Sequence, residues 1–195
     1  MEEFKSLENL LSPDERNTFW SVLDEESGEM RSISLEAIYQ SIADVSLDAV
    51  VPEDVRSQFN VAKNLAAYSW YCYPFHQVCE MKAYSTVEYA LKQRLKHHWP
   101  FPKLIKKSIS WGLIKDIGFC HLKKPLDESS TEYSKSLIEI MPGLRNGLAH
   151  GGTTLHPGSI STLRFCADFI NQLYRNEINK PSREIKEWHG GSTKA

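Results

Sequence analysis

The stretch Phe75–His98, FHQVCEMKAYSTVEYALKQRLKHH, decides the fold. Val78, Met81, Ser85, Glu88 and Leu95 recur at helical spacing, with Tyr84, Val87, Leu91 and Arg94 in a second row. Pro74 interrupts the chain just before it, and Trp99-Pro100-Phe101-Pro102 stops it. It reads as the longest helix of the chain.

The flanks repeat the pattern. Val51-Pro52-Glu53-Asp54 opens a helix predicted to reach about Tyr71, with Val55, Phe59, Ala62, Leu65 and Ala66 in register. Beyond Pro102, Leu104, Ile105, Ile109, Leu113 and Ile114 mark another. Gly118 to Thr131 is rich in Pro, Asp and Ser and reads as a loop. A helix follows from near Glu132, carrying Leu137, Ile138, Met141 and Leu144. The turn chemistry of Thr153-Thr154-Leu155-His156-Pro157-Gly158 leads to a last long helix from about Ser159 to Ile178.

Towards the N-terminus, Ser12-Pro13-Asp14-Glu15 is a helix start, with Ser12 as cap, Pro13 in the first position and Glu15 completing a capping box. Phe19, Trp20 and Leu23 give that helix an apolar stripe, and Glu25-Glu26-Ser27-Gly28 ends it. A short helix is predicted over Leu35–Asp44. No segment shows a sustained period of two flanked by turns. The expected fold is all-α: an antiparallel bundle of four to five core helices with a short N-terminal helical extension. Residues 1–50 form the acidic extension, 51–178 the bundle and 179–195 a flexible tail.

With 41% hydrophobic and 25% charged residues in 195, the chain can bury a core. No apolar run approaches the ~20 residues that span a bilayer. The acidic start Met1-Glu2-Glu3-Phe4-Lys5 lacks the pattern of a signal peptide. Cysteines 72, 79, 120 and 166 form no C-x-x-C pair and suit reduced thiols. A cytoplasmic protein with no membrane partner is expected.

The net charge of −2 hides a division. Residues 1–60 hold 14 acids and 4 bases, net −10; residues 61–195 hold 11 acids and 19 bases, net +8. Between Tyr89 and Lys115 there is no acid, but there are Lys92, Arg94, Lys96, Lys103, Lys106, Lys107 and Lys115. A one-signed stretch sets a field that polyanions feel; solvated helix faces produce the same pattern. Lys103, Lys106 and Lys107 are the candidate lysines for contact with a phosphate backbone. Trp99 and Phe101 among them read better as packing for a turn than as base-stacking platforms. The acidic first 50 residues offer a screen for the basic half, or a partner contact, or an ordinary charged surface.

Cys72-x3-His76-x2-Cys79 has helical spacing, but Pro74 disturbs the register and no fourth ligand accompanies it, so no metal is expected. No phosphate-cradling glycine loop, G-x-S-x-G or carboxylate pair is present, and no cofactor is implied.

One motif carries chemistry. Met141-Pro142-Gly143-Leu144-Arg145-Asn146-Gly147-Leu148-Ala149-His150-Gly151 sets Arg145 beside Asn146 and within six residues of His150. Arginine is a permanent, forked cation suited to phosphate, and histidine exchanges protons near neutral pH. The same residues can instead close a helix, with Gly151 as a left-handed cap. On one regular helix Asn146 and His150 share a face, but Arg145 and His150 do not. A backbone bent at Gly143 or Gly147, or a second subunit, would reunite them.

Residues Pro52 to Ile178 resemble the HEPN (higher eukaryotes and prokaryotes nucleotide-binding) family. The resemblance rests on Arg145-Asn146-Gly147-Leu148-Ala149-His150, which is similar to its signature of Arg, four to six residues, then His, with a polar residue directly after the Arg. It rests also on Lys82–Lys92 as its long early helix, and on Leu104–Ile114 as the next. It implies an all-helical bundle and, in many members, a metal-independent ribonuclease acting as a homodimer whose two signatures line one cleft. Arg145, Asn146 and His150 would be the catalytic set, with Glu88 anchoring Arg145. Toxin or antiphage-defence roles, with an antitoxin or other protein partner, belong to the same expectation, as does a non-catalytic RNA-, nucleotide- or protein-binding module.

Overall fold

The protein is described by a computed structural model over residues 2–19, 21–23, 27–152 and 157–178. From the N-terminus, α1 (Glu15–Thr18) is followed by strands β1 (Ser21–Leu23) and β2 (Met30–Ser32), then α2 (Leu35–Ala43), α3 (Glu53–Tyr68), α4 (Phe75–Leu95), α5 (Phe101–Ser110), α6 (Glu132–Ala149) and α7 (Ser159–Arg175). The architecture is an all-α bundle, with a two-stranded hairpin as a minor appendage. None of the described helices is long and apolar enough to cross a membrane.

Prolines set the boundaries. Pro52 (φ −53°, ψ 147°) and Pro100 (φ −55°, ψ 147°) lie extended immediately before α3 and α5. The α4 helix stops at Lys96, whose φ of +57° turns the chain out of the helix.

The α4 helix is the axis of the molecule and packs against α3, α5, α6 and α7. His76, Cys79, Glu80, Ala83, Tyr84, Val87, Ala90 and Leu91 are all buried, so α4 has no single apolar face. Around it Phe59, Leu104, Ile105, Phe119, Leu163, Phe169, Ile170 and Leu173 are fully buried. Each such side chain contributes roughly 1.5–3 kcal/mol by leaving water.

The short helix expected over Leu35–Asp44 is α2, but the chain before it departs from the helical expectation. Asp14, not Ser12, caps α1, accepting from the Arg16 amide at 3.1 Å. Its carboxylate also accepts from the Tyr73 amide at 3.0 Å, and its own amide donates to the Trp70 carbonyl at 2.8 Å. Asn17 donates to the carbonyls of Ser69 (3.1 Å) and Trp70 (3.0 Å). This single turn is therefore an anchor onto the α3–α4 connection, and the charged carboxylate outcompetes a serine hydroxyl because it satisfies several N–H groups at once. In place of a longer helix, β1 pairs antiparallel with β2, Val22 opposite Arg31. Phe19 and Leu23 are exposed rather than striped inward; Trp20, Glu25 and Glu26 lie outside the described residues. Strands of three residues are too short to show an alternation.

The chain from Ile42 to Val51 belongs to the core, with Ile42, Val45 and Val51 buried. Lys63 donates to the Val45 carbonyl at 2.6 Å, and Asn171 on α7 bridges the Asp48 amide (2.9 Å) and the Ser46 carbonyl (3.2 Å). The expected tail, 179–195, and the turn residues Thr153–His156 lie outside the described residues.

The start of α6 is fixed from a distance. Asp116, on a short 3-10 turn, accepts from the amide and hydroxyl of Ser134 (2.8 and 2.6 Å), the Tyr133 amide (3.1 Å) and the Ser130 hydroxyl (2.6 Å). It caps a helix whose own N-cap residue, Thr131, supplies no side-chain bond. Burial of Asp116 opposes ionisation, but these donors outweigh it and hold the carboxyl below its ordinary value.

Candidate functional site

The signature occupies the last turns of α6. Pro142 lies inside this helix and is buried, yet the helix continues through Gly143 and Gly147 to Ala149 without a break. The helix is therefore not interrupted at either glycine. The helix ends in a Schellman motif. Gly152 donates to the Gly147 carbonyl (3.0 Å) and Gly151 to the Leu148 carbonyl (3.3 Å), while Gly151 takes φ +79°. His150 is the C-cap residue, its amide donating to the Asn146 carbonyl at 2.9 Å. Gln77 on α4 donates to the Gly152 carbonyl at 2.9 Å, fastening this end of α6 to the bundle.

Arg145 points into the bundle. Its Nη2 donates to Glu88 Oε2 on α4, and its Nη1 to Asn146 Oδ1 at 2.9 Å. Its guanidinium lies 5.9 Å from the ring centroid of Phe101, the first residue of α5. Glu88 Oε1 meanwhile pairs with Lys92 Nζ at 2.7 Å, one turn further along α4. Burial alone would push the Glu88 carboxyl up, but the hydrogen bonds from Lys92 and Arg145 prevail and hold it below its ordinary value. One carboxylate thus serves two cations, and the trio carries a net charge of +1 near neutral pH (two positive, one negative).

His150 is exposed, and among the described residues nothing hydrogen-bonds to its ring. At about 100° per residue it lies roughly 140° around α6 from Arg145. Within one chain the structure therefore brings Arg145, Asn146 and Glu88 together and leaves His150 on another face. Asn146 is exposed beside Arg145 and one turn from His150.

Of the three lysines, Lys103 and Lys106 are exposed and Lys107 is half-buried, all on one side of α5. Trp99 has both faces covered: His97 stacks on it with centroids 3.8 Å apart, and Lys103 Nζ sits 4.4 Å from its centroid. That ring packs the α4–α5 turn and has no face for a base. Phe101 is buried. The Cys72–His76–Cys79 row divides in the same manner, with His76 Nδ1 bonded to Ser159 Oγ at 2.6 Å and Cys79 buried. All four cysteines are free thiols, and among the described residues no group of three or more His, Cys, Asp and Glu side chains could hold a metal.

Sequence reasoning left Lys92, Phe101 and Gln77 out of the site. The i, i+4 spacing of Glu88 and Lys92 was available as a signal. The approach of Phe101 and Gln77 depends on how α5 and α6 cross α4, which no local pattern encodes. No protein-family model, curated protein or solved structure matches the chain.

Proposed function

We propose that the chain is a metal-independent endoribonuclease of the HEPN kind, working as a homodimer on RNA. The observation that carries this reading is the placement of Arg145, held by Glu88 beside Asn146, on the same helix that presents an exposed His150 at its cap. The guanidinium keeps further N–H donors for a phosphate. His150 removes the proton of a ribose 2′-hydroxyl, the 2′-oxygen attacks phosphorus, and the P–O5′ bond breaks as the leaving oxygen takes a proton from water, His150 then returning its own to solvent. Arg145 stabilises the charge gathering on the phosphorane. The products are a 2′,3′-cyclic phosphate and a 5′-hydroxyl end; DNA, lacking the hydroxyl, is inert. Lys103, Lys106 and Lys107 follow the backbone of the bound strand.

The divergence of Arg145 and His150 is the reason for a second subunit. Ile140, Gly143, Leu144 and Gly147 recur on the outer side of α6, with Ile140 and Leu144 each 49% exposed and open space above both glycines. A second copy seated there meets His150, and the two α6 ends pool their Arg–His sets. A toxin or defence effector held by a protein inhibitor is the setting this reading carries with it.

A second reading has its own support. Arg145 is already ion-paired and His150 already closes a Schellman cap, which suits a non-catalytic RNA- or protein-binding module of the same fold. Incubating total RNA with the protein in chelator separates the two. Cleavage leaving cyclic-phosphate ends, lost in both Arg145→Ala and His150→Ala, supports the nuclease. RNA that is bound but uncut supports the module, and cleavage undiminished by His150→Ala rejects the mechanism.

A further inference from the structure

A cleft of about 580 Å³ opens on the side of the bundle where α7 meets the chain following Asp116, lined by none of the signature residues. Its size falls in the range of small-molecule sites, roughly 300–1,000 Å³. Two kinds of wall meet in it. Tyr84, His121, Tyr133 and Phe165 supply rings, and Arg164 and Ser161 supply polar groups.

The rings are mutually braced. His121 meets Tyr133 edge-on at 5.1 Å, its Nε2 lying 3.0 Å from the Tyr133 hydroxyl, and Phe165 stacks on the buried Phe119 at 5.5 Å. An aromatic surface fixed in this manner accepts a further ring without reorganising. Tyr84 is buried at the foot of α7, close to Thr162, whose hydroxyl donates to Glu80 at 3.2 Å. Arg164 is exposed, and among the described residues no ion pair or hydrogen bond engages its guanidinium. Ser161 stands one turn before it on the same helix.

The charges around the cleft limit the ligand. Asp168 lies beside it, accepting from the Cys120 amide at 2.9 Å, and Glu80 lies behind Thr162. Arg164, with the Asp168 carboxylate one turn further along α7, suits a single negative charge and disfavours a doubly charged group. We propose that this cleft is a binding site for a planar aromatic monocarboxylate, whose rings lie among Tyr84, His121, Tyr133 and Phe165 and whose carboxylate is held by Arg164 and Ser161.

Titration of the full-length protein with naphthoate, naphthylmethanol and naphthyl phosphate tests this by calorimetry and amide chemical-shift mapping. Naphthoate should bind saturably, shifting amides around Cys120, His121 and Phe165, with the neutral alcohol and the phosphate each about tenfold weaker. Arg164→Gln should remove that preference for the carboxylate, and Ser161→Trp, which fills the mouth, should abolish binding while the circular dichroism stays native. Arg145→Ala and His150→Ala should bind naphthoate like wild type, so failure of the ribonuclease reading leaves this site standing. Absence of saturation up to about 10 mM, an alcohol or phosphate that binds as tightly, or an unchanged Arg164→Gln variant would overturn the assignment.

Discussion

Glu88 on α4 and Arg145 on α6 form an ion pair that joins the central helix to the turns leading to His150. Both are largely withdrawn from solvent, at 15% and 29% exposure, so the pair is worth more than a surface bridge and costly to half-remove. In a double-mutant cycle, Glu88→Ala and Arg145→Ala should show a coupling of about 1–2 kcal/mol by urea denaturation. Glu88→Ala should also depress RNA cleavage while leaving His150 intact, because a loose guanidinium no longer holds its place.

Asp116→Ala should destabilise the protein by about 2 kcal/mol, since it strips a buried cap from two amides and two hydroxyls. Hydrogen exchange should locate the loss, with the Tyr133 and Ser134 amides the first to lose protection. If exchange rises uniformly instead, Asp116 does not control the start of α6.

Asp14 gives the N-terminal anchor a pH signature. The Arg16 side chain, with help from the Tyr73 and Arg16 amides, holds its carboxyl at about 2 against an ordinary 3.8. A depressed folded-state pKa stabilises above the unfolded value and ceases to do so as pH falls through the folded one. Wild type should therefore exceed Asp14→Asn by about 2 kcal/mol at pH 6, with the gap closing between about pH 4 and 2. Urea midpoints across that range measure it.

Gly151→Ala tests the cap behind the histidine. A φ of +79° suits glycine, and alanine there should cost about 1 kcal/mol. Open space above Gly151 means the loss comes from backbone strain and not from a clash. Gly151→Asn, which tolerates left-handed backbone better, should recover part of the stability in thermal melts.

The core helices were legible because proline punctuation and a 3.6-residue period agree along them; α3, α4, α5, α6 and α7 lie where Pro52, Pro74, Pro100, Glu132 and Ser159 announce them. The N-terminal hairpin was not legible. Its strands are too short for periodicity, and the register of α1 is decided by Tyr73 and Trp70, more than fifty residues away. At the site, the 140° divergence of Arg145 and His150 followed from spacing alone, as did the chance that Gly151 is a left-handed cap. The seating of Arg145 over Phe101 and the shared use of Glu88 by Lys92 depend on helix crossings, which emerge only when the bundle is assembled.

The remote cap on α6 changes what the preceding loop must do. Asp116 and Ser130 are joined directly, backbone amide to carbonyl at 3.0 Å, and the same aspartate sets Ser134. The phase of α6, and with it the direction in which Arg145 and His150 face, is counted from that junction and not through the intervening chain. Residues 123–126, mostly exposed, are thereby released from any duty of alignment. They can lengthen, shorten or carry an inserted recognition peptide while the helix beyond them keeps its bearing.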